Sequence, residues 1–334
     1  MTLVNAQYRL AAHPVGLPTP SDWDYVEEPV PTPGDGEILV EVEYLSLDPA
    51  MRSWMNPGRS YIPPVKIGEV MRAAGIGRVV ESNNPDFRVD ALVSGAFGIQ
   101  NYAVSNGRGV LPIDTTLAPA PVHLGTLGHS GFTAYFGLLD IGKPQPGETV
   151  VVSAAAGSVG SIVGQISKIK GCRTVGIAGG PDKCRMLVEE LGFDAAIDYK
   201  AGDLRGQLRQ HAPDGVDVYF DNVGGEILDA VLARIARGAR IVISGAISQY
   251  NVTEGVKGPA NYLQLLVQRA SMTGFVIFDY APRFREAAAE LANWLHEGQL
   301  QSREHVVVGG IKLFPETLLK LFSGENTGKL ILAV

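Results

Sequence analysis

A short β-branched run, Thr149-Val150-Val151-Val152-Ser153, is followed by Ala154-Ala155-Ala156-Gly157-Ser158-Val159-Gly160-Ser161-Ile162-Val163-Gly164. The glycine spacing is GxxGxxxG, set between a strand pattern and a helical one. Such a turn has phosphate-holding chemistry. The start of a helix offers unpaired N–H groups and the positive end of its dipole, and glycines let the backbone come close to a ligand. On this reading Gly157 allows the tight strand-to-helix turn, Gly160 brings the helix start to a pyrophosphate, and Gly164 lets the helix lie close on a sheet. Gly157, Ser158, Val159 and Gly160 are the candidate pyrophosphate residues. Small residues also suit a generic helix–sheet contact. The strand before and the helix after favour a dinucleotide site.

The choice of dinucleotide rests on the next strand. A site for NAD places Asp or Glu about 20 residues beyond the glycines, on the ribose 2′-hydroxyl. Here the strand ends Ile177-Ala178-Gly179-Gly180 without an acid, and Lys183 and Arg185 follow. Cations there attract a 2′-phosphate, so NADPH is the expected cofactor. Asp182, at the start of a helix, is expected to serve that helix's free N–H groups.

These residues need a frame. The 334 residues suggest about two domains at roughly 150 residues each. The first ~120 residues read as β-rich, with Ile38, Val40 and Val42 alternating as in a half-buried strand. Gly75–Val80 reads as another strand, and frequent prolines and glycines leave no room for a long helix. From Thr149 strands and helices alternate: strands at 173–178, 195–198, 216–220, 240–244 and 272–277, helices at 181–191, 203–211, 226–236, 261–269 and 283–297. Short connections between them argue a doubly wound parallel sheet. Residues 305–334 return to a mixed pattern and are expected to rejoin the first domain. The expected division is 1–123 with 299–334 against 124–298.

Composition narrows the class. Hydrophobic residues at 46% and charged residues at 19% exclude a disordered or coiled-coil chain. A net charge of −7 disfavours nucleic acid as a partner. No apolar run reaches the roughly 20 residues of a membrane span, and the first ten residues lack a secretory pattern. Cys172 and Cys184 form neither a disulfide framework nor a CxxC pair, so a reducing cytoplasm is the expected compartment. The first domain has no cysteine, and its histidines are His13 and His123, so no catalytic zinc is expected. Hydride transfer would then rely on hydrogen bonds to polarise the substrate. That suits reduction of a C=C bond conjugated to a carbonyl, with a tyrosine hydroxyl as donor to the developing enolate.

Several segments carry a family resemblance. They are Leu45-Ser46-Leu47-Asp48-Pro49, Gly131-Phe132-Thr133-Ala134-Tyr135, Val150–Gly164, Asp221-Asn222-Val223-Gly224-Gly225, Gly245–Asn251, Gly274-Phe275-Val276 and Gly324–Lys329. Through them the chain resembles the zinc-free medium-chain dehydrogenases/reductases, in the NADPH-dependent alkenal/one oxidoreductase branch. The resemblance implies a GroES-like catalytic domain, a Rossmann domain, a homodimer joined through the nucleotide domains with Met272–Ile277 near the edge, and small enal or enone substrates. It further implies that Gly179, Lys183 and Tyr199 hold the 2′-phosphate end and that Asn222 lies along the cofactor. Ser248 and Tyr250 would flank the phosphate and nicotinamide ribose, Phe275 and Ile277 would border the nicotinamide, and Asn326 would reach the cofactor from the C-terminal segment. Tyr61 matches a substrate-pocket tyrosine, so Tyr61 and Tyr250 are the catalytic candidates.

Each of these has an ordinary reading too: Tyr61 as loop packing, Tyr250 as a structural residue, Tyr199 as a strand-end aromatic, Asn222 and Asn326 as turn formers. Ala50 and Ile99 replace a Tyr and a Trp common in the family, which would reshape the pocket. His129 would be near the pyrophosphate or merely packed. Val267 stands where some relatives carry a presumed catalytic Tyr, with Tyr262 five residues earlier. Two other functions fit the glycine motif: a quinone oxidoreductase on the same fold, and an NADPH-binding protein with little catalysis.

Overall fold

In the computed structural model, which describes residues 3–334, Val4–Leu10 (β1) pairs antiparallel with Trp23–Pro29 (β2). The expected alternating strand is Ile38–Ser46 (β3), with Ile38, Val40 and Val42 buried and Glu41 exposed. A five-residue helix, Ala50–Trp54 (α1), follows. Gly75–Ser82 (β4), Leu92–Gly95 (β5), Tyr102–Ser105 (β6) and Leu111–Pro112 (β7) complete the β-rich part. Among them Ile99 is fully buried in the core of this unit.

Next comes His129–Phe136 (α2), and then the strand–helix alternation read from the sequence. It runs Thr149–Ser153 (β8), Ser158–Ile169 (α3), Arg173–Ala178 (β9), Pro181–Glu189 (α4), Ala195–Asp198 (β10), Leu204–His211 (α5), Val216–Asp221 (β11), Gly225–Leu232 (α6) and Ile235–Ile243 (β12). Gln264–Gln268 (α7), Ser271–Gly274 (β13) and Phe284–His296 (α8) close it. The six strands are parallel, in the order β10-β9-β8-β11-β12-β13. All five residues of β8 are buried, as a strand covered on both faces requires. The chain builds outward from β8 in one direction and then from β11 in the other. The crevice of this doubly wound sheet therefore opens at the carboxyl ends of β8 and β11.

Glu304–Val308 (β14), Phe314–Ser323 (α9) and Lys329–Ala333 (β15) return to the first unit, where β15 pairs antiparallel with β3. The two compact units are Met1–Leu124 with Glu304–Val334, and Gly125–Arg303. The second division lies five residues beyond the expected 298/299. The reason is local: Leu300 is buried in the core of the second unit, and the backbone N–H of Gln301 donates to Gln165 Oε1 at 2.7 Å.

Four elements differ by several residues from their expected ranges. The helix expected at 226–236 is Gly225–Leu232, because Ile235 and Ala236 already belong to β12. β12 begins at Ile235 and not at Arg240, because Ile235 pairs with Val216 and a register shift before Arg240 absorbs Gly238 at φ 76°. The helix expected at 261–269 is a 3-10 turn, Ala260–Leu263, followed by the short α7. Asn261 breaks it by donating both its backbone N–H and its side-chain amide to Asp229. The strand expected at 272–277 stops at Gly274, after which Phe275 turns onto the core. No helix among the described residues is long and apolar enough to cross a membrane.

Candidate nucleotide site and active-site residues

The glycine turn forms where the sequence placed it, and the surroundings of each glycine are now defined. Gly157 has an ordinary extended backbone, φ −84° and ψ 179°. The left-handed residue of the turn is Ala154, at φ 47°. Gly160 is needed because a Cβ there would stand 2.4 Å from the Ala154 carbonyl oxygen, so it lets the helix start fold back on its own turn. Gly164 faces the Phe193 ring and not the sheet, and a Cβ on it would lie 1.8 Å from Phe193 Cζ. The first turn of α3 presents unpaired backbone N–H groups, as every helix start does. Val159 lies half-buried in this turn. Beside it the Ser158 hydroxyl is buried and has no hydrogen-bond partner among the described residues. A phosphate oxygen fits that hydroxyl and those N–H groups.

The loops after β11 and β12 are tied to the same strand end. Asn222 donates its backbone N–H to Ser153 Oγ at 2.9 Å and its amide to the Ser153 carbonyl at 2.8 Å. Asp221, 1% exposed, accepts four hydrogen bonds on Oδ1, from Ser153, Tyr219, Val223 and Gly224. Its Oδ2 is buried with no partner. Burial outweighs those donors and raises the Asp221 carboxyl above its usual range. Ser248 Oγ donates to the Val223 carbonyl at 2.6 Å and so joins the second loop to the first. The Tyr250 oxygen accepts the Ala246 N–H at 3.2 Å, which fixes that ring within its own loop. Asp221 and Ser153 lay in motifs visible in the sequence, but neither was read as a site residue; burial alone reveals them.

At the ends of β9 and β10, Gly179 gives way to Tyr199 and Lys200. A Cβ on Gly179 would lie 2.9 Å from both Tyr199 Cε1 and Lys200 Cε. Asp198 shapes this corner by accepting the N–H groups of Gly180 at 2.8 Å and Lys200 at 2.9 Å. Burial first, then the neighbouring Lys200, push the Lys183 ammonium below its usual value. Two lysines held near each other fit a doubly charged phosphate. Arg185 does not join them, because it pairs with Asp182. Asp182 itself lies in the first turn of α4. Lys200 was missed in the sequence, though it directly follows Tyr199.

Phe275 packs against Gly137, close enough that a Cβ there would stand 2.6 Å from the ring, and Ile277 is half-buried on the same core. His129 meets the rings of Phe278 and Phe284 edge-on, at 5.7 and 6.0 Å between centroids. Val267 and Tyr262 are exposed. In the first unit, Tyr61 is 52% exposed and its oxygen accepts the Trp54 indole N–H at 3.0 Å. Asn326 donates its amide to the Gly328 carbonyl at 3.1 Å, a turn-forming bond. Among the described residues no group of three or more His, Cys, Asp or Glu is placed to hold a metal ion.

Comparison with known proteins bears on this arrangement. Residues 6–113 match the family model described as the N-terminal domain of oxidoreductase, and residues 158–294 match the one described as zinc-binding dehydrogenase. The chain is 44% identical to the NADPH-dependent curcumin reductase of Escherichia coli (strain K12), over 99% of its length and 97% of the relative's. The chain belongs to the NADPH-dependent alkenal/one oxidoreductase branch of the medium-chain dehydrogenases/reductases. This family member is also 42% identical to prostaglandin reductase 1 of Mus musculus, over 97% of each chain. Its fold matches the crystal structure of CurA in complex with NADPH from Vibrio vulnificus, with a TM-score of 0.93 and 44% identity over 98% of this chain and 99% of that one.

Proposed function

We propose that this chain reduces the C=C bond of α,β-unsaturated aldehydes or ketones with NADPH. The observation that carries the reading is the whole-chain similarity to NADPH-dependent reductases, among them one named for curcumin, a conjugated enone. The Lys183–Lys200 corner and the glycine turn supply groups that fit such a cofactor at its two phosphate positions. Gly157, Ser158, Val159 and Gly160 would hold the pyrophosphate; Gly179, Lys183, Tyr199 and Lys200 would hold the 2′-phosphate. Asn222, Ser248, Phe275, Ile277 and Asn326 complete the proposed cofactor set.

Bound NADPH supplies a hydride to the β-carbon of the substrate. The chain's part is to steady the enolate and deliver a proton. Tyr61 and Tyr250 are the side-chain donors proposed for it, each hydroxyl oriented by one defined bond, from Trp54 or from the Ala246 N–H. A hydroxyl aimed at the carbonyl oxygen gains strength as negative charge builds there. The α-carbon then takes the proton. No step requires a metal ligand set.

The test mixes protein, NADPH and a simple enone, follows NADPH loss, and identifies the product by mass spectrometry. A saturated ketone supports the reading. An allylic alcohol overturns its regiochemistry. Turnover only with a quinone assigns quinone reduction, and NADPH binding without turnover on any acceptor assigns a binding protein.

We also propose that the protein acts as a homodimer through β13. This strand ends the six-stranded sheet, all four of its residues are exposed, and Leu266 and Val267 lie exposed on the helix before it. An uncovered edge of this kind invites a second strand, and a second copy offers the same strand to complete the ladder.

A further inference from the structure

Two arginines of the first unit are treated differently by the fold. Arg52, 4% exposed, is fully served: it donates to the carbonyls of Gly16 at 2.8 Å and Pro14 at 2.9 Å and to Asn56 Oδ1 at 2.5 Å. Arg72 has a buried Nη1 with no hydrogen-bond partner, and no carboxylate among the described residues pairs with it. Its guanidinium carbon lies 5.6 Å from the centroid of the Trp54 ring. The same indole donates its N–H to Tyr61. Trp54 therefore joins Arg72 to the substrate-pocket candidate Tyr61.

A desolvated guanidinium N–H without an acceptor is costly, and cation–π attraction to an indole does not replace an acceptor. A guanidinium is always charged, and its planar fork matches a carboxylate with two parallel bonds. Trp54 limits where that fork points. We propose that Arg72 binds an acidic group of the substrate, so that this enzyme favours enones bearing a carboxylate. The proposal rests on the ene-reductase reading and on Tyr61 lying at the substrate.

The experiment compares two probes, a linear methyl enone that ends in a carboxylate and the methyl ester of the same compound. Wild type is expected to show a KM for the acid at least tenfold below that for the ester. Arg72→Gln is expected to raise the KM for the acid more than tenfold further than it raises that for the ester. Arg72→Lys, which keeps the charge and loses the fork, should restore part of the preference. Binding of the acid to the NADP-loaded protein is measured separately by calorimetry. Equal KM values for acid and ester in wild type overturn the proposal and leave the reduction reading standing. If no enone turns over, the reduction reading fails, and acid binding that Arg72→Gln removes still supports the arginine site. If Arg72→Gln instead raises the KM for NADPH and leaves the acid-to-ester ratio unmoved, the acidic group that Arg72 meets belongs to the cofactor, and the proposal is overturned.

Discussion

Ser153 Oγ donates to Asp221 Oδ1 at 2.9 Å, and this bond ties the carboxyl end of β8 to that of β11. These are the two strands between which the sheet changes its direction of build. The same hydroxyl accepts the Asn222 N–H, so one serine holds the last residue of β11 and the first of the loop that follows. Ser153→Ala would strand that N–H in a buried setting and remove one of the four donors on Asp221. A loss of about 1–3 kcal/mol is expected in urea denaturation. The KM for NADPH should rise with it, since Asn222 would keep only its amide bond to the Ser153 carbonyl.

Asp221 gives that region a pH dependence of known sign. Its carboxyl is raised by burial, so the folded chain holds the proton more tightly than the unfolded chain. The stabilisation is fully present below the unfolded value of about 4 and is lost as pH rises through the folded value. Asp221→Asn keeps an acceptor for the N–H groups of Val223 and Gly224 and cannot ionise. Stability measured against pH should therefore be flatter on the acid side in the variant than in wild type. An unchanged profile would show that Asp221 does not titrate in this way.

Lys183 and Lys200 are predicted to set the preference for NADPH over NADH. Removing either to Ala should raise the KM for NADPH by roughly tenfold or more, the scale of one charge-assisted bond of about 1.5–3 kcal/mol, and should affect NADH far less. Because the Lys183 ammonium is lowered, NADPH affinity should weaken as pH rises through that lowered value. Lys183→Arg stays charged and should delay the weakening. Fluorescence titration of both cofactors across pH checks both points.

Met272, 40% exposed on β13, is the residue to charge if the edge is an interface. Met272→Glu should convert a dimer to a monomer in sedimentation analysis, with little effect on the melting of the monomer itself. A wild-type protein that sediments as a monomer would remove this role for the strand.

Much of the nucleotide unit was legible because its signals are local. The β-branched run of β8, the helical spacing in α3 and the glycines at helix ends fix elements within a few residues of one another. The roles of the glycines were less legible. Whether a glycine is present for its φ or for the space beside it depends on what packs there, and in this turn Ala154, not Gly157, bears the positive φ. Lys200, Asp221 and Arg72 stayed hidden for a related reason. Their significance lies in partners far along the chain, or in the lack of one, and periodicity carries no such information. The short extent of α7 follows from Asn261 bonding to Asp229, a contact across 32 residues.

The packing of the Phe193 ring into the space beside Gly164 constrains how this sequence can drift. Gly164→Ala alone places a methyl inside an aromatic ring. Phe193→Leu alone loosens a buried contact and leaves room unused. With Phe193→Leu made first, Gly164→Ala becomes tolerable, whereas Gly164→Ala made first passes through an overpacked intermediate. The two positions thus behave as one inherited unit with a preferred direction of entry, and relatives that carry a larger residue at the glycine should be those whose aromatic partner has already shrunk.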